Sequence, residues 1–165
     1  VVVKDGLAAK AVWPVPSTPV TLRQSGCMFV PHVVALQVGQ TLLVNNADMA
    51  MHNVNAKSQR SEGARFNRMH APGAKDIEVQ FSAPERSVPF GCDFHPWMSA
   101  WVHAVEHPFF AVSALDGSFE IRGLAPGRYR FDAVHEWLGT HSFEVTLDGR
   151  SGARVVLRHR AAAAD

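Results

Sequence analysis

Residues 92–98 read Cys92-Asp93-Phe94-His95-Pro96-Trp97-Met98. A thiol, an imidazole and a thioether recur there at Cys-x2-His-x2-Met spacing. One tight loop can turn all three toward a single point. Far upstream, Met49-Ala50-Met51-His52-Asn53-Val54 follows a segment that closes on Asn45-Asn46. A sandwich that joins the two segments would make His52 the fourth donor. The surrounding chain has a period close to two. Residues 33–38, 41–44, 77–81, 87–90, 100–105, 109–112, 118–121, 128–133, 142–147 and 153–157 all read as strands. Asp116-Gly117, Asp148-Gly149 and Pro126-Gly127 supply turns, because Asp and Gly tolerate positive φ and Pro presets its own. Many short strands with closely spaced turns predict an all-β sandwich with no long helix.

The donor chemistry narrows the function. Two imidazole nitrogens and one thiolate in a plane, with a weak axial thioether, make a blue-copper electron-transfer site. The candidate ligands are His52, Cys92, His95 and Met98. Three other readings stay open at this stage. Cys92 could pair with Cys27 in a disulfide, which would destroy the site. His52 could be an ordinary loop histidine. Met98 could be core packing, a common use of a flexible thioether.

Composition excludes other classes. The chain has 165 residues, with 16 Lys+Arg against 15 Asp+Glu, so a nucleic-acid grip built on bulk charge is ruled out. Two cysteines are too few for a disulfide scaffold. No apolar run reaches the ~18 residues that a membrane-spanning helix needs. There is no zinc-protease motif, no nucleophile elbow and no phosphate-cradling Gly loop. A Cys92 nucleophile with His95 as its base would be awkward within one tight loop. The expectation is a protein that is not an enzyme.

The loop Cys92-x-x-His95-Pro96-aromatic-Met98 resembles the ligand loop of the amicyanin and plastocyanin branch of the cupredoxin family. The segment His52-Asn53-Val54 resembles the upstream ligand segment of the same proteins. Phe29-Val30-Pro31, then Gln37-Val38-Gly39-Gln40 and Val44-Asn45-Asn46, is similar to the general family pattern. The resemblance covers residues 25–106 and implies a Greek-key β-sandwich holding one type 1 copper. Trp101 and His103 depart from it, since small residues are usual after the loop. It further implies loading of copper outside the cytosol, hence a periplasmic or extracytoplasmic location. The implied partner is a c-type cytochrome or a membrane electron-transfer complex. A rival expectation is a non-redox accessory subunit that docks on a photosynthetic reaction centre or respiratory assembly. A third is copper delivery.

Residues 116–131, from Asp116-Gly117-Ser118-Phe119 to Pro126-Gly127-Arg128-Tyr129-Arg130-Phe131, resemble the carboxypeptidase-regulatory-like, or transthyretin-like, β repeat. This implies a second small β-sandwich with no catalytic role. The expected division is a copper domain over 1–107 and an extension over 108–165, with Val1-Val2-Val3 available to pack on the extension. Residues 57–75 lack a strand pattern and read as a basic loop with one helical turn, either solvated or a docking surface for an acidic partner. No job is assigned to Cys27, His32, His103, His107 or His135. Trp97 reads as a shield or contact ring beside the site. Trp13, Trp101 and Trp137 read as anchors, and residues 161–164 as a frayed tail.

Overall fold

The computed structural model describes residues 1–9 and 11–158, so the tail at 161–164 lies outside the described residues. The chain divides into two units, Trp13–Pro108 on the one hand and Val1–Val12 with the residues from Phe109 onward on the other.

The Trp13–Pro108 unit is a sandwich of two sheets. One holds β2 (Val20–Gln24), β3 (Phe29–Val30), β5 (Thr41–Asn46) and β8 (Ile77–Gln80) in the order β3-β2-β5-β8. The other holds β4 (Val33–Gln37), β6 (His52–Lys57), β7 (Arg65–His70), β9 (Glu85–Gly91) and β10 (Ser99–Val105) in the order β4-β10-β9-β6-β7. Two parallel pairs, β2 with β5 and β10 with β4, sit among antiparallel neighbours. Parallel pairing of strands distant in sequence is what a Greek-key path produces and a simple meander does not.

The alternation in β5 shows how the pattern becomes a core. Leu42, Val44 and Asn46 face inward, and Thr41, Leu43 and Asn45 do not. In β10 the small or branched Ala100, Val102 and Ala104 face inward, while Trp101 and His103 lie on the other face. The two residues that departed from the family pattern therefore do not crowd the core. Leu22, Phe29, Leu42, Val44 and Val79 of one sheet meet Leu36, Val54, Phe90 and Val102 of the other in one cluster. Each such side chain contributes about 1.5–3 kcal/mol by leaving water. Cys92 and Met98 belong to this same cluster.

Residues 57–75 differ from expectation. The helical turn is present at Glu62–Ala64, but β7 follows it as an edge strand paired with all of β6. Four of its six residues are exposed, and only His70 is buried. An edge strand open to water on both faces has no need of alternation, so it carries no period-two signal. Its cations are also engaged. Arg65 Nε donates to Ser58 O at 2.7 Å, Arg60 donates to Pro84 O at 2.9 Å, and Arg68 lies over the Phe66 ring.

The other unit is one three-stranded sheet of β1 (Val2–Asp5), β11 (Gly127–His135) and β12 (Gly139–Leu147), in the order β1-β11-β12. Residues 1–12 group here rather than with a domain over 1–107, because β1 hydrogen-bonds to β11. Its core is small: Val3, Tyr129 and Phe131, with Phe109, Ile121, Leu124 and Phe143 against them. Phe131 and Phe143 stack at 5.3 Å, and Tyr129 OH donates to Ala125 O at 3.0 Å. Residues 118–121 and 153–157 are not strands. Both edges of β11 are already taken, and residues 118–124 lend Ile121 and Leu124 to the core as an irregular covering segment.

Candidate metal centre

Two connections at one end of the sandwich build the site. The first joins β5 to β6. Asn46 continues the inward face of β5, so a buried polar amide must find partners. Its Nδ2 donates to Ala50 O at 3.1 Å and His70 O at 2.8 Å, and its Oδ1 accepts from the Asp48 N–H at 3.0 Å. This fixes the loop that delivers His52 as the first residue of β6, with its side chain fully buried.

Asp48 then orients that imidazole. Nε2 of His52 lies 2.9 Å from Asp48 Oδ2. A carboxylate only accepts at neutral pH, so Nε2 carries the proton and Nδ1 is left with its lone pair. This carboxylate–histidine arrangement is the usual outer support of a metal ligand. The Asp48 carboxyl sits below its ordinary range, chiefly because the Cys27 N–H donates to it, with further lowering from the Gly26 N–H and His52 against an opposing burial effect.

The second connection is the 92–98 loop between β9 and β10. Met98 N–H donates to His95 O at 2.8 Å, and Cys92 N–H donates to Met98 O at 3.3 Å, which closes the loop on itself. A cage of amides anchors it to β6 and β7. The Asp93 carboxylate accepts from Asn53 at 2.9 Å, Asn55 at 2.9 Å and Asn67 at 2.6 Å, while Asp93 N–H donates to Asn53 Oδ1 at 2.6 Å. Hydrogen bonds from Asn55 and Asn67, and then Asn53, hold the Asp93 carboxyl below its ordinary range. Cys92 and Met98 end up buried, and His95 half-buried at the loop's outer part.

Nδ1 of His52 and Nδ1 of His95 lie 3.0 Å apart, and Cys92 Sγ lies 3.6 Å from the same His95 nitrogen. Donors that share one ion at metal–nitrogen ~2.0 Å and metal–sulfur ~2.3 Å, at trigonal to tetrahedral angles, stand about 3.1–3.7 Å apart. The spacing and the donor set both fit a thiolate–imidazole metal site. Met98 lies in the same loop and core cluster.

One residue with no assigned role joins them. Cys27, in the turn between β2 and β3, places its sulfur in a group with ligand atoms of His52 and His95, all within 4.8 Å of one another. Both cysteines are free thiols, so the pairing of Cys27 with Cys92 is not made. The only sequence trace of Cys27's place was its position just before Phe29, on a strand leading to the same end. His32 and His103 lie elsewhere, on partners of their own: His32 Nδ1 is 3.0 Å from Ser99 O, and His103 Nδ1 accepts from the Ser87 N–H.

Exposed apolar side chains neighbour the ligand residues along the chain: Phe94 and Trp97 flank His95, Met28 follows Cys27, and Met49 and Met51 precede His52. Trp97 stands 5.3 Å from the His95 ring and donates its indole N–H to Cys27 O at 3.0 Å.

No family model matches the chain, and no curated protein matches it. Solved structures do resemble it. A copper-containing nitrite reductase from Thermus scotoductus aligns over 62% of this chain at 21% identity, with a TM-score of 0.47. The aligned part spans 26% of that reductase. A reduced tryptophan-to-tyrosine variant of amicyanin aligns over 55% of this chain and 85% of its own, at 17% identity and a TM-score of 0.46. Amicyanin from Paracoccus versutus aligns over 55% and 84%, at 19% identity and a TM-score of 0.44. The described residues are all-β, a two-sheet sandwich with an added three-stranded sheet.

Proposed function

We propose that the Trp13–Pro108 unit is a type 1 copper electron carrier, in which His52, Cys92, His95 and Met98 would hold the metal. One observation carries this reading: His95 Nδ1 stands 3.0 Å from His52 Nδ1 and 3.6 Å from the buried Cys92 thiol, with the His52 imidazole already oriented by Asp48. Bound copper supplies a one-electron Cu(II)/Cu(I) couple. The protein's part is to hold the donors still. His52 is fixed through Nε2, and Cys92 is held by the loop closure and by the Asp93 amide cage next to it. Donors set before the metal arrives rearrange little when its charge changes. The half-buried His95 edge, with exposed Phe94 and Trp97 beside it, gives a partner an apolar landing surface close to the ligands.

This reading brings with it a periplasmic or extracytoplasmic location, since copper–thiolate sites of the family that the ligand loop resembles are loaded outside the cytosol. Its partner is a c-type cytochrome or a membrane electron-transfer complex that docks on that apolar surface. The role is carriage of single electrons and not catalysis. Cu(II) added to the purified protein gives an intense visible thiolate-to-copper absorption, and Cys92→Ser abolishes it. A wild-type protein that stays colourless and copper-free defeats the reading.

A second reading is a non-redox accessory subunit. It is favoured by the extension, where Trp137 (87% exposed) and Leu115 stand in water and would suit burial against a larger assembly. A folded protein that refuses copper under every loading condition supports it over the first.

A further inference from the structure

We propose that Cys27 is a second thiolate ligand of the same centre, so that copper is held by two cysteine sulfurs and two imidazoles. This rests on the copper reading above and goes beyond it. Cys27 packs against the edge of the core from a turn whose backbone does not call for a cysteine. Ser25 N–H donates to Met28 O at 2.9 Å and Met28 N–H to Ser25 O at 3.2 Å, which makes 25–28 a tight hairpin turn. Its central residues, Gly26 and Cys27, have φ of 62° and 54°. That pair of left-handed positions is usually filled by Asn, Asp and Gly. A cysteine there is an outlier that local sequence preference does not explain.

The surroundings of Cys27 are the metal site itself. Its N–H donates to Asp48 Oδ2 at 2.9 Å, and that oxygen also takes His52 Nε2. Its carbonyl accepts from Trp97, inside the 92–98 loop. The backbone is therefore clamped from both ligand-bearing segments. The sulfur lies within 4.8 Å of ligand atoms of His52 and His95. Sharing one ion asks for a contraction of about 1 Å relative to donor spacings of ~3.1–3.7 Å, which a half-buried side chain on a surface turn can supply. Cys92 approaches His95 as a buried thiol, whereas Cys27 is open to solvent in part.

The step is coordination alone. The Cys27 S–H proton leaves to solvent as the sulfur–copper bond forms, and no atom changes oxidation state. A second soft thiolate favours Cu(I), and Cys27 shares the part-exposed side of the centre with His95.

The test loads the full chain with Cu(I) without oxygen, then measures thiol reactivity toward an aromatic disulfide reagent and sulfur coordination by X-ray absorption. The expected result is a part-exposed Cys27 thiol that reacts before loading and not after, with two sulfurs near ~2.3 Å from the metal. In Cys27→Gly, which suits the positive φ, copper remains but one short sulfur is lost. Cys27→Ser serves as a second variant of similar size. The inference is overturned if the Cys27 thiol reacts equally with and without metal and one short sulfur is found. A protein that binds no copper at all overturns both readings, whereas copper bound with Cys27 still reactive overturns only this one.

Discussion

Residues 92–98 and 25–28 each bring a cysteine to His95, and they are built in opposite ways. The 92–98 loop is an extension of the core. Cys92 and Met98 are buried in the main hydrophobic cluster, and three asparagines lock Asp93 beside them. The 25–28 turn is a surface hairpin with two residues at positive φ, tied down by Asp48 on one side and Trp97 on the other. A thiol placed by packing keeps its position with or without metal. A thiol placed by two polar ties on a surface turn can move, and so suits a ligand that must let the ion pass.

The largest effect on stability tests the first half of this contrast. Asn53 is buried and serves Asp93 through both ends of its amide. Asn53→Ala removes one donor to the Asp93 carboxylate and the acceptor of the Asp93 N–H, and costs about 1–2 kcal/mol of unfolding free energy in urea titration. A loss under ~0.5 kcal/mol, the range of an ordinary surface substitution, would mean that packing alone holds the loop. The next effect falls on the element shared by both segments. Asp48→Ala removes the orienting partner of His52 and the tie to Cys27, and lowers copper affinity about 10–100-fold in competition with a chelator. Unchanged affinity would separate the two segments. A smaller effect has the opposite sign. Cys27→Gly relieves a non-glycine residue at φ 54° and stabilises the metal-free protein by about 1 kcal/mol. A lower melting temperature in that variant would show that the turn is not strained.

The smallest is a control at the far end of β9, away from Cys92. Burial raises the Glu85 pKa, but hydrogen bonds from Ser58 Oγ and the N–H groups of Gln59 and Arg60 outweigh it and hold the carboxyl below its ordinary value. A lowered carboxyl pKa adds stability that is complete above the unfolded value, near ~4.3, and is lost as pH falls through the folded one. Glu85→Gln flattens that acid limb of stability, read by thermal melts between mildly acidic and strongly acidic pH. Because Glu85 is far along the strand, copper affinity at neutral pH stays at the wild-type value.

Several elements were legible in the chain as strings of alternating residues. β5, β8, β10, β11 and β12 each carry an inward apolar face, and that face survives in the fold. β7 was not legible, because an edge strand exposed on both sides obeys no alternation. Residues 118–121 do alternate, yet they cover the small core with Ile121 and do not join the sheet. In the centre, Cys92, His95 and Met98 were readable from one another because a three-residue spacing in a closed loop leaves them few places to be.

The sequence by itself determined the donor chemistry: which atoms could bind a soft or borderline metal, and that three of them would share a loop. Only the tertiary structure decided who joins them. His52 reaches His95 across 43 positions of chain, and Cys27 receives Trp97 across 70. Such meetings depend on strand order and register, which are set by the burial of two whole sheets against each other. No local preference of residues 25–28 encodes them.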